Sequence, residues 1–353
     1  MTSFRTLESL LEDSLEAELP WPAIAALVVD EAHYVKNPNA GRTRTIASVA
    51  KPLRHVIFMT GTPFENRLDE FRVLVSQLQE PIAAQLASSL TSTGDLVIGR
   101  HAFQQAVAPV YLRRNQEDVL RELPERIDNE EWVELSKLEE RAYIKAVRGE
   151  NIMGMRRAAT IGSGAANCPS SKLERLEELC DEYRESGVKV LVFSFFLDVL
   201  AACTKRFDVE GTITGSTPPG ERQALIDQFG KRDGHALLLA QIQAGGVGLN
   251  IQAASVVCLL EPQWKPSTEE QAIARAHRMG QTRTVLVHRF FTKNSVDERM
   301  REVLAEKAEL FDAFARNSLI KDTSPDATES SLTRKVIEAE KSRLGQELTE
   351  DSV

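Results

Sequence analysis

Short apolar runs alternating with longer segments of helical period constrain this 353-residue chain more than any other feature. The runs are Ala25–Val29, His55–Met59, Lys189–Phe193, Ala236–Ala240, Val256–Leu260 and Val285–Phe291. A strand that is apolar on both of its faces must be covered on both sides, which is the situation of a parallel sheet flanked by helices. An α/β class follows, and 353 residues exceed what one core of ordinary size organises, so two domains are expected. Polar or glycine-rich clusters follow several of the runs, and the carboxyl ends of parallel strands are where such folds place ligand-binding loops.

Composition removes several function classes. An apolar share of 42% is that of an ordinary globular protein and argues against a disordered or fibrous chain. No stretch approaches the roughly 18 uninterrupted apolar residues of a membrane span. The start, Met1-Thr2-Ser3-Phe4-Arg5, lacks the pattern of a signal peptide, so a cytoplasmic location is expected, nucleoid-associated if the source is bacterial. Cys168, Cys180, Cys203 and Cys258 form no C-x-x-C pair, which speaks against a zinc ribbon or a disulfide framework. A net charge of −9 argues against general coating of nucleic acid but leaves room for a local basic groove.

Between the two groups of apolar runs lies a charged region from Arg113 to about Ala159, followed by the small-residue stretch Ile161–Ala166. Ser171 with Glu174 has the spacing of a capping box, opening a helix with Leu173, Leu176, Cys180 and Tyr183 on one face and Gly187 at its end. Beyond Phe314 the chain turns polar, with a linker at Thr323–Asp326 and a charged helix expected from about Leu332 to Leu344. The expected organisation is a first lobe over 1–112, a helical connector over 113–168, a second lobe over 169–316, and a polar linker with a short helix over 317–353.

Three constellations carry chemistry. Asp30-Glu31-Ala32-His33 closes the first apolar run and is followed by Lys36-Asn37-Pro38. Nucleotide hydrolysis needs one carboxylate that holds Mg²⁺ through its water shell and a neighbour that orients or deprotonates water. His33 is placed to sense the nucleotide. An isolated acidic pair is more often a solvated turn, and the buried strand before this one weighs against that reading. Thr60-Gly61-Thr62-Pro63 closes the second run, where threonine hydroxyls can reach both the acidic pair and a phosphate.

The most specific constellation begins at Gln243-Ala244-Gly245-Gly246-Val247-Gly248-Leu249-Asn250, whose glycines allow backbone N–H groups close to a phosphate. Twenty-one residues after Gly246, Ser267 opens an expected helix, Ser267–Met279, with Glu270 completing a capping box and Gly280 ending it. Gln271, Arg275 and Arg278 stand at offsets 0, 4 and 7 and would share one face of that helix. Two guanidiniums one turn apart suit the charge of a transferring phosphoryl group.

In this order the motifs resemble the Swi/Snf-type branch of superfamily-two helicases, DNA-dependent ATPases that translocate on duplex DNA. The resemblance rests on the DEAH box with Lys36-Asn37, TGTP-x-x-N at Thr60–Asn66, Tyr111-Leu112-Arg113-Arg114 through Leu123-Pro124, and Lys189–Ser194. It continues through Gly215-Ser216-Thr217 with Glu221-Arg222-Gln223, AGGVGLN at Ala244–Asn250 and QAIARAHRMGQ at Gln271–Gln281. It implies tandem RecA-like lobes with ATP between them and double-stranded DNA bound through its phosphate backbone. It further implies Asp30 on Mg²⁺, Glu31 as general base, and Arg275 and Arg278 as arginine fingers. Nucleotide contacts would come from His33, Gln271, Gly246 and Gly248, and coupling to DNA from Thr60, Thr62, Asn250, Arg113 and Arg114. Gln243 and Glu261 depart from the family's usual basic residue and Asp.

No G-x-x-x-x-G-K-[ST] occurs in the sequence, and only 29 residues precede Asp30. That loop supplies the phosphate cradle, the lysine and an Mg²⁺-ligating hydroxyl. The first lobe is therefore expected to be incomplete, the second complete, and the chain inactive as an ATPase by itself. Three readings stay open: the C-terminal part of a DNA translocase, a non-hydrolysing DNA- or partner-binding remnant, and one chain of a two-chain enzyme whose other polypeptide supplies the loop.

Overall fold

The computed structural model describes residues 25–60, 68–84, 107–112, 123–164, 169–244, 249–305 and 329–350. Of the residues singled out above, Thr62, Arg113, Arg114, Gly246 and Gly248 lie outside these segments. The chain divides into two compact units, Met1–Arg114 with Glu309–Ala327, and Asn115–Ala308 with Thr328–Val353.

In the first unit, β1 (Leu27–Val29) pairs in parallel with β2 (Val56–Phe58), with Val28 opposite Ile57. A 3-10 turn over Ala32–Val35 and helix α1 (Gly41–Ala50) make the connection, and α2 (Leu68–Leu78) follows. Strand alternation sends Val29 inward, where it packs with Ala32, Val35, Ile46 and Leu74. Val28 and Ile57 point the other way and are 54% and 55% exposed. Thus the strands expected at Ala25–Val29 and His55–Met59 form, each shortened to three residues.

The second unit is built on a six-stranded sheet in the order β3-β8-β7-β4-β6-β5, parallel at every pairing. Its strands are β3 (Arg126–Val133), β4 (Val190–Ser194), β5 (Gly211–Ile213), β6 (Leu237–Gln241), β7 (Val256–Leu259) and β8 (Val285–Thr292). Between them run α3 (Lys137–Arg148), α4 (Ile152–Ile161), α5 (Ser171–Glu185), α6 (Leu197–Arg206), α7 (Pro219–Lys231) and α8 (Pro266–Ile273), and α9 (Glu329–Glu350) comes last. The period of two decides which side each residue serves. Leu191, Phe193, Leu238, Ala240, Val257 and Leu259 face α7 and α8 with Ile226, Phe229 and Ile273. Val190, Val192, Leu237, Leu239, Val256 and Cys258 face α5 and α6 with Leu176, Cys180, Leu200 and Cys203. Covering both faces is why the central strands read as unbroken apolar runs.

Two strands escaped the sequence reading. β3 reads Arg-Ile-Asp-Asn-Glu-Glu-Trp-Val, mostly polar because it is an edge strand, yet it pairs with all eight residues of β8. The stretch read as a helical connector therefore carries a strand of the second sheet. β5 is three residues long and closes the opposite edge. The helix at Ser171 also begins differently. Ser170 is its N-cap, accepting from the Leu173 N–H, while the Ser171 N–H and hydroxyl donate to Glu139 at 2.9 and 2.7 Å. Glu139 already closes the capping box of α3 with Ser136, so one buried carboxylate ties together the starts of two helices. Gly187 ends α5 as expected, at φ 63° with the Val188 N–H returning to the Tyr183 carbonyl.

A buried ion pair closes the centre. The Lys172 ammonium donates to Asp297 at 2.5 Å and to the Leu260 carbonyl at 2.7 Å, and both side chains are wholly inaccessible. The C-terminal helix α9 packs Leu332 and Val336 against Tyr143 and Met300. Its Glu340 accepts the Tyr143 hydroxyl at 2.8 Å, which in turn accepts the Val296 N–H. That helix is longer than the Leu332–Leu344 expected from the sequence.

Candidate functional site

Asp30 and Glu31 stand at the carboxyl end of β1, where a parallel strand delivers side chains into a loop. The Glu31 N–H donates to Asp30 Oδ1 at 2.9 Å. Glu31 adopts φ 51° and ψ 47°, the left-handed region that costs a non-glycine residue of order 1 kcal/mol or more. The conformation reverses the chain so that the Ala32 N–H reaches the Met59 carbonyl at 2.9 Å. Glu150 and Asn294 share that conformation, so it does not mark function by itself. What it does here is hold the end of β1 against the end of β2, bringing the acidic pair and Thr60 to neighbouring strand ends.

His33 Nδ1 lies 3.2 Å from Glu31 Oε2. The His33 ring is 4.2 Å from the Tyr34 ring, and Arg42 lies over Tyr34 and donates to its carbonyl. Gln77 of α2 donates to the Val35 carbonyl at 3.0 Å, fixing the exit of the turn. Among the described residues no group of three or more His, Cys, Asp or Glu converges as a metal cage. Mg²⁺ is usually held by one or two carboxylates, its own waters and phosphate oxygens. Asp30, exposed at a strand end, fits such a role.

In the second unit every strand ends on the same edge of the sheet, and polar groups gather there. Ser194 donates to Glu261 at 2.8 Å, and the Phe195 N–H donates to the same carboxylate at 3.0 Å. Burial raises the Glu261 carboxyl above its ordinary range, against Lys172, these two donors and Arg156. Arg156 is itself buried, donating to the Pro262 carbonyl and lying over the rings of Phe195 and Phe196. Arg222 gathers the carbonyls of Thr214, Gly215 and Thr217 and so shapes the loop after β5. Asn250 is exposed, 3.4 Å from Gln252 Oε1.

The arginine-bearing segment departs from its sequence reading. Helix α8 spans Pro266–Ile273, with Lys265 as an extended N-cap and Pro266 at the first helical position. Ser267 thus lies inside the helix and makes no capping box with Glu270, whose carboxylate is taken by Arg126. Past Ile273 the chain tightens into turns: the Arg275 N–H bonds the Ala272 carbonyl and the Ala276 N–H the Ile273 carbonyl, both three residues back. The His277 N–H still reaches the Ile273 carbonyl four residues back, but the continuous helix expected over Ser267–Met279 stops at Ile273, and Arg275 and Arg278 stand on the turns that follow it.

The reason is tertiary. Groups from elsewhere claim the carbonyls that a continuing helix would use. The Ile251 N–H takes the Arg275 carbonyl at 2.9 Å, the Gln281 amide takes that of Ala276 together with those of Gln252 and Ala254, and the Gln252 amide takes that of Met279. Gly280 ends the segment as expected, at φ 93°, and a Cβ there would come within 3.0 Å of the Gln252 amide. Glu269 and Glu270 are engaged by Arg126, Arg289 and the Gln263 N–H. Neither the role of Gln281 nor that of Arg126 was readable from spacing, because their partners lie up to 144 residues away.

With this geometry in view, comparison places the chain. A family model described as the SNF2-related domain matches residues 1–183, and one described as the helicase conserved C-terminal domain matches residues 171–280. The chain belongs to the SNF2-related family. An "Uncharacterized ATP-dependent helicase" of Mycoplasma pneumoniae is 31% identical over 314 residues, covering 80% of this chain and 30% of the relative. The "DNA excision repair protein CSB" of Oryza sativa subsp. japonica is 28% identical over 374 residues, covering 91% of this chain and again 30% of the relative. The chain thus spans less than a third of the length of these relatives. Among solved structures, the C-terminal part of the Fun30 ATPase domain superposes with a TM-score of 0.50 at 20% identity, over 62% of this chain and 98% of that one, a likeness of fold. No helix among the described residues is long and apolar enough to cross a membrane.

Proposed function

We propose that this chain carries the acidic pair and the arginine fingers of a DNA-dependent ATPase that moves along duplex DNA. The single observation that carries the reading is the placement of Asp30-Glu31 and Thr60 at adjoining carboxyl ends of the parallel pair β1–β2. Membership in the SNF2-related family supports it. Asp30 would hold Mg²⁺ through its water shell, and Glu31 would orient and deprotonate the attacking water. Bound ATP with Mg²⁺ would supply the transferable phosphoryl group and the charge that polarises it. Arg275 and Arg278 would stabilise the charge that develops on that group, a contribution worth about 10³–10⁵ in rate where arginine fingers have been removed. His33, Gln271 and the loop containing Gly246 and Gly248 would contact nucleotide. Thr60, Thr62, Asn250, Arg113 and Arg114 would relay its state to the DNA phosphates.

The 353 residues contain no G-x-x-x-x-G-K-[ST], so turnover would require the lysine and hydroxyl of a phosphate-binding loop from a segment outside them, joined to this chain or carried by a separate polypeptide. Without such a segment the chain would be a non-hydrolysing DNA- or partner-binding remnant. We expect no DNA-stimulated phosphate release from the 353 residues alone. Release should appear when a G-K-T-bearing segment is supplied, and Glu31→Gln or Arg275→Ala should then lower it by at least about 100-fold. DNA-stimulated release by the 353 residues alone, lost in Glu31→Gln, would sink the inactivity half of the reading. Full activity of Arg275→Ala in the completed protein would sink the assignment of the fingers. Triplex displacement without fork unwinding would separate duplex translocation from strand separation.

A further inference from the structure

The segment bearing Arg275 and Arg278 is held in part by its own neighbourhood, through Ile251, Gln252 and Gln281. One further hold is different. His277, between the two arginines, bonds through Nε2 to the Pro124 carbonyl at 2.8 Å. A carbonyl only accepts, so Nε2 carries the proton. Pro124 stands where the chain, having left the first unit, enters the second sheet. One residue later the Glu125 carbonyl accepts from the Val285 N–H and the β3–β8 ladder begins.

Two residues beyond Pro124, Arg126 reaches the same segment from its other end. Its guanidinium grips Glu270 of α8 in a two-pronged pair at 2.6 and 3.0 Å and Asp128 of its own strand in a second pair at 2.8 Å on both prongs. Arg289 of β8 continues the cluster to Asp128 and to Glu269 of α8 at 3.0 Å. Burial alone would lower the Arg126 pKa, but its two carboxylate partners raise it, and Asp128 is held below the usual carboxylate range by Arg126 and Arg289 despite its own burial. Arg126 and Arg289 are about a fifth exposed, whereas Asp128 and Glu270 are 39% and 53% exposed, so water screens the acidic side of the cluster.

We propose that the chain's entry into the second sheet, Pro124 to Asp128, is a positioning element for the arginine fingers. It holds the segment through His277 and through Glu270 of α8, so that Arg275 and Arg278 are presented from a fixed base. The inference rests on the reading that those arginines act on a phosphoryl group. Arg126, Glu270 and His277 are positioning residues in this scheme, since none is required to touch the nucleotide.

Hydrogen exchange on the 353-residue chain tests it without any need for turnover. Arg126→Ala and Glu270→Ala should each speed exchange of the amides of residues 274–281 by about two- to five-fold, the loss expected of a pair whose carboxylate is half exposed. The double variant should fall short of the sum of the two, because they share the Arg126–Glu270 pair, while Asp128 and Arg289 each give one of the two partners a separate contact. Arg126→Lys should restore part of the protection, since an ammonium keeps the charge but not the fork. Exchange in residues 171–185 and 190–194 should stay unchanged. An unaltered 274–281 segment, a uniform rise across the second unit, or additive effects in the double variant would each overturn the proposal. Normal phosphate release by Arg275→Ala in the completed protein would instead remove the finger assignment while leaving the exchange result standing.

Discussion

The strands β1 and β4 share a local grammar, an apolar parallel strand that ends in a polar loop, yet they live in different surroundings. All five residues of β4 are buried, with β6 and β7 beside it and helices on both faces. β1 has one buried residue of three, and Val28 and Ile57 of the first sheet are each more than half exposed. Polar residues follow both strands, Asp30 and Glu31 after one and Ser194 at the end of the other. The placement of a site at a strand's carboxyl end therefore depends on chain direction, whereas its rigidity depends on what covers the strand.

That contrast is breakable. The largest effect is expected at the buried pair of the second unit: Lys172→Met leaves Asp297 uncompensated and should cost about 3–5 kcal/mol in denaturant unfolding. Replacing both by apolar residues should recover much of that loss, and a double variant no better than the single one would show that the pair is not the cause. Next comes truncation of the strands themselves. Leu191→Ala should cost about 2–5 kcal/mol, since it opens a cavity in a closed core. Ile57→Ala should stay within about 0.5 kcal/mol. A loss above 2 kcal/mol at Ile57 would break the comparison by showing that its face is covered in solution.

A further effect is one of pH. Burial pushes the Glu131 carboxyl up, but hydrogen bonds from His288 and Arg175 outweigh it and hold the folded-state pKa below the ordinary value. A depressed carboxyl contributes stability that is present above its unfolded pKa and is lost as pH falls through the folded one. Glu131→Gln should therefore cost about 1 kcal/mol at neutral pH and flatten the acid limb of the stability curve below about pH 4.5. An unchanged acid limb would mean that the Tyr183–His288–Glu131 chain holds β3 without regard to charge.

Much of the fold was legible because it rests on short-range regularities. The six apolar runs became six strands, and the four in the second unit lie in a parallel sheet covered on both faces, as an unbroken apolar run requires. β3 was not legible, because an edge strand with Arg126, Asp128, Glu130 and Glu131 looks polar until its ion partners on β8, α5 and α8 are known. The arginine segment was legible in residue type and in where it stops, at Gly280. Its helical form was not, since 3.6-residue spacing fits Gln271, Arg275 and Arg278 whether or not the helix continues.

By itself, then, the amino-acid order determined the α/β class, the loops that carry acid and arginine, and the family to which the chain belongs. Only the tertiary structure decided that Glu31 turns back in a left-handed conformation to join two strand ends, and that helix α8 stops at Ile273. It alone showed that Pro124 and Arg126 grip the segment between Arg275 and Arg278 and its preceding helix. The physical reason is range. Strand and helix periods are written in neighbouring residues, whereas a carbonyl's choice between the next helical turn and a distant amide is settled by whichever donor the packed chain brings within about 3 Å.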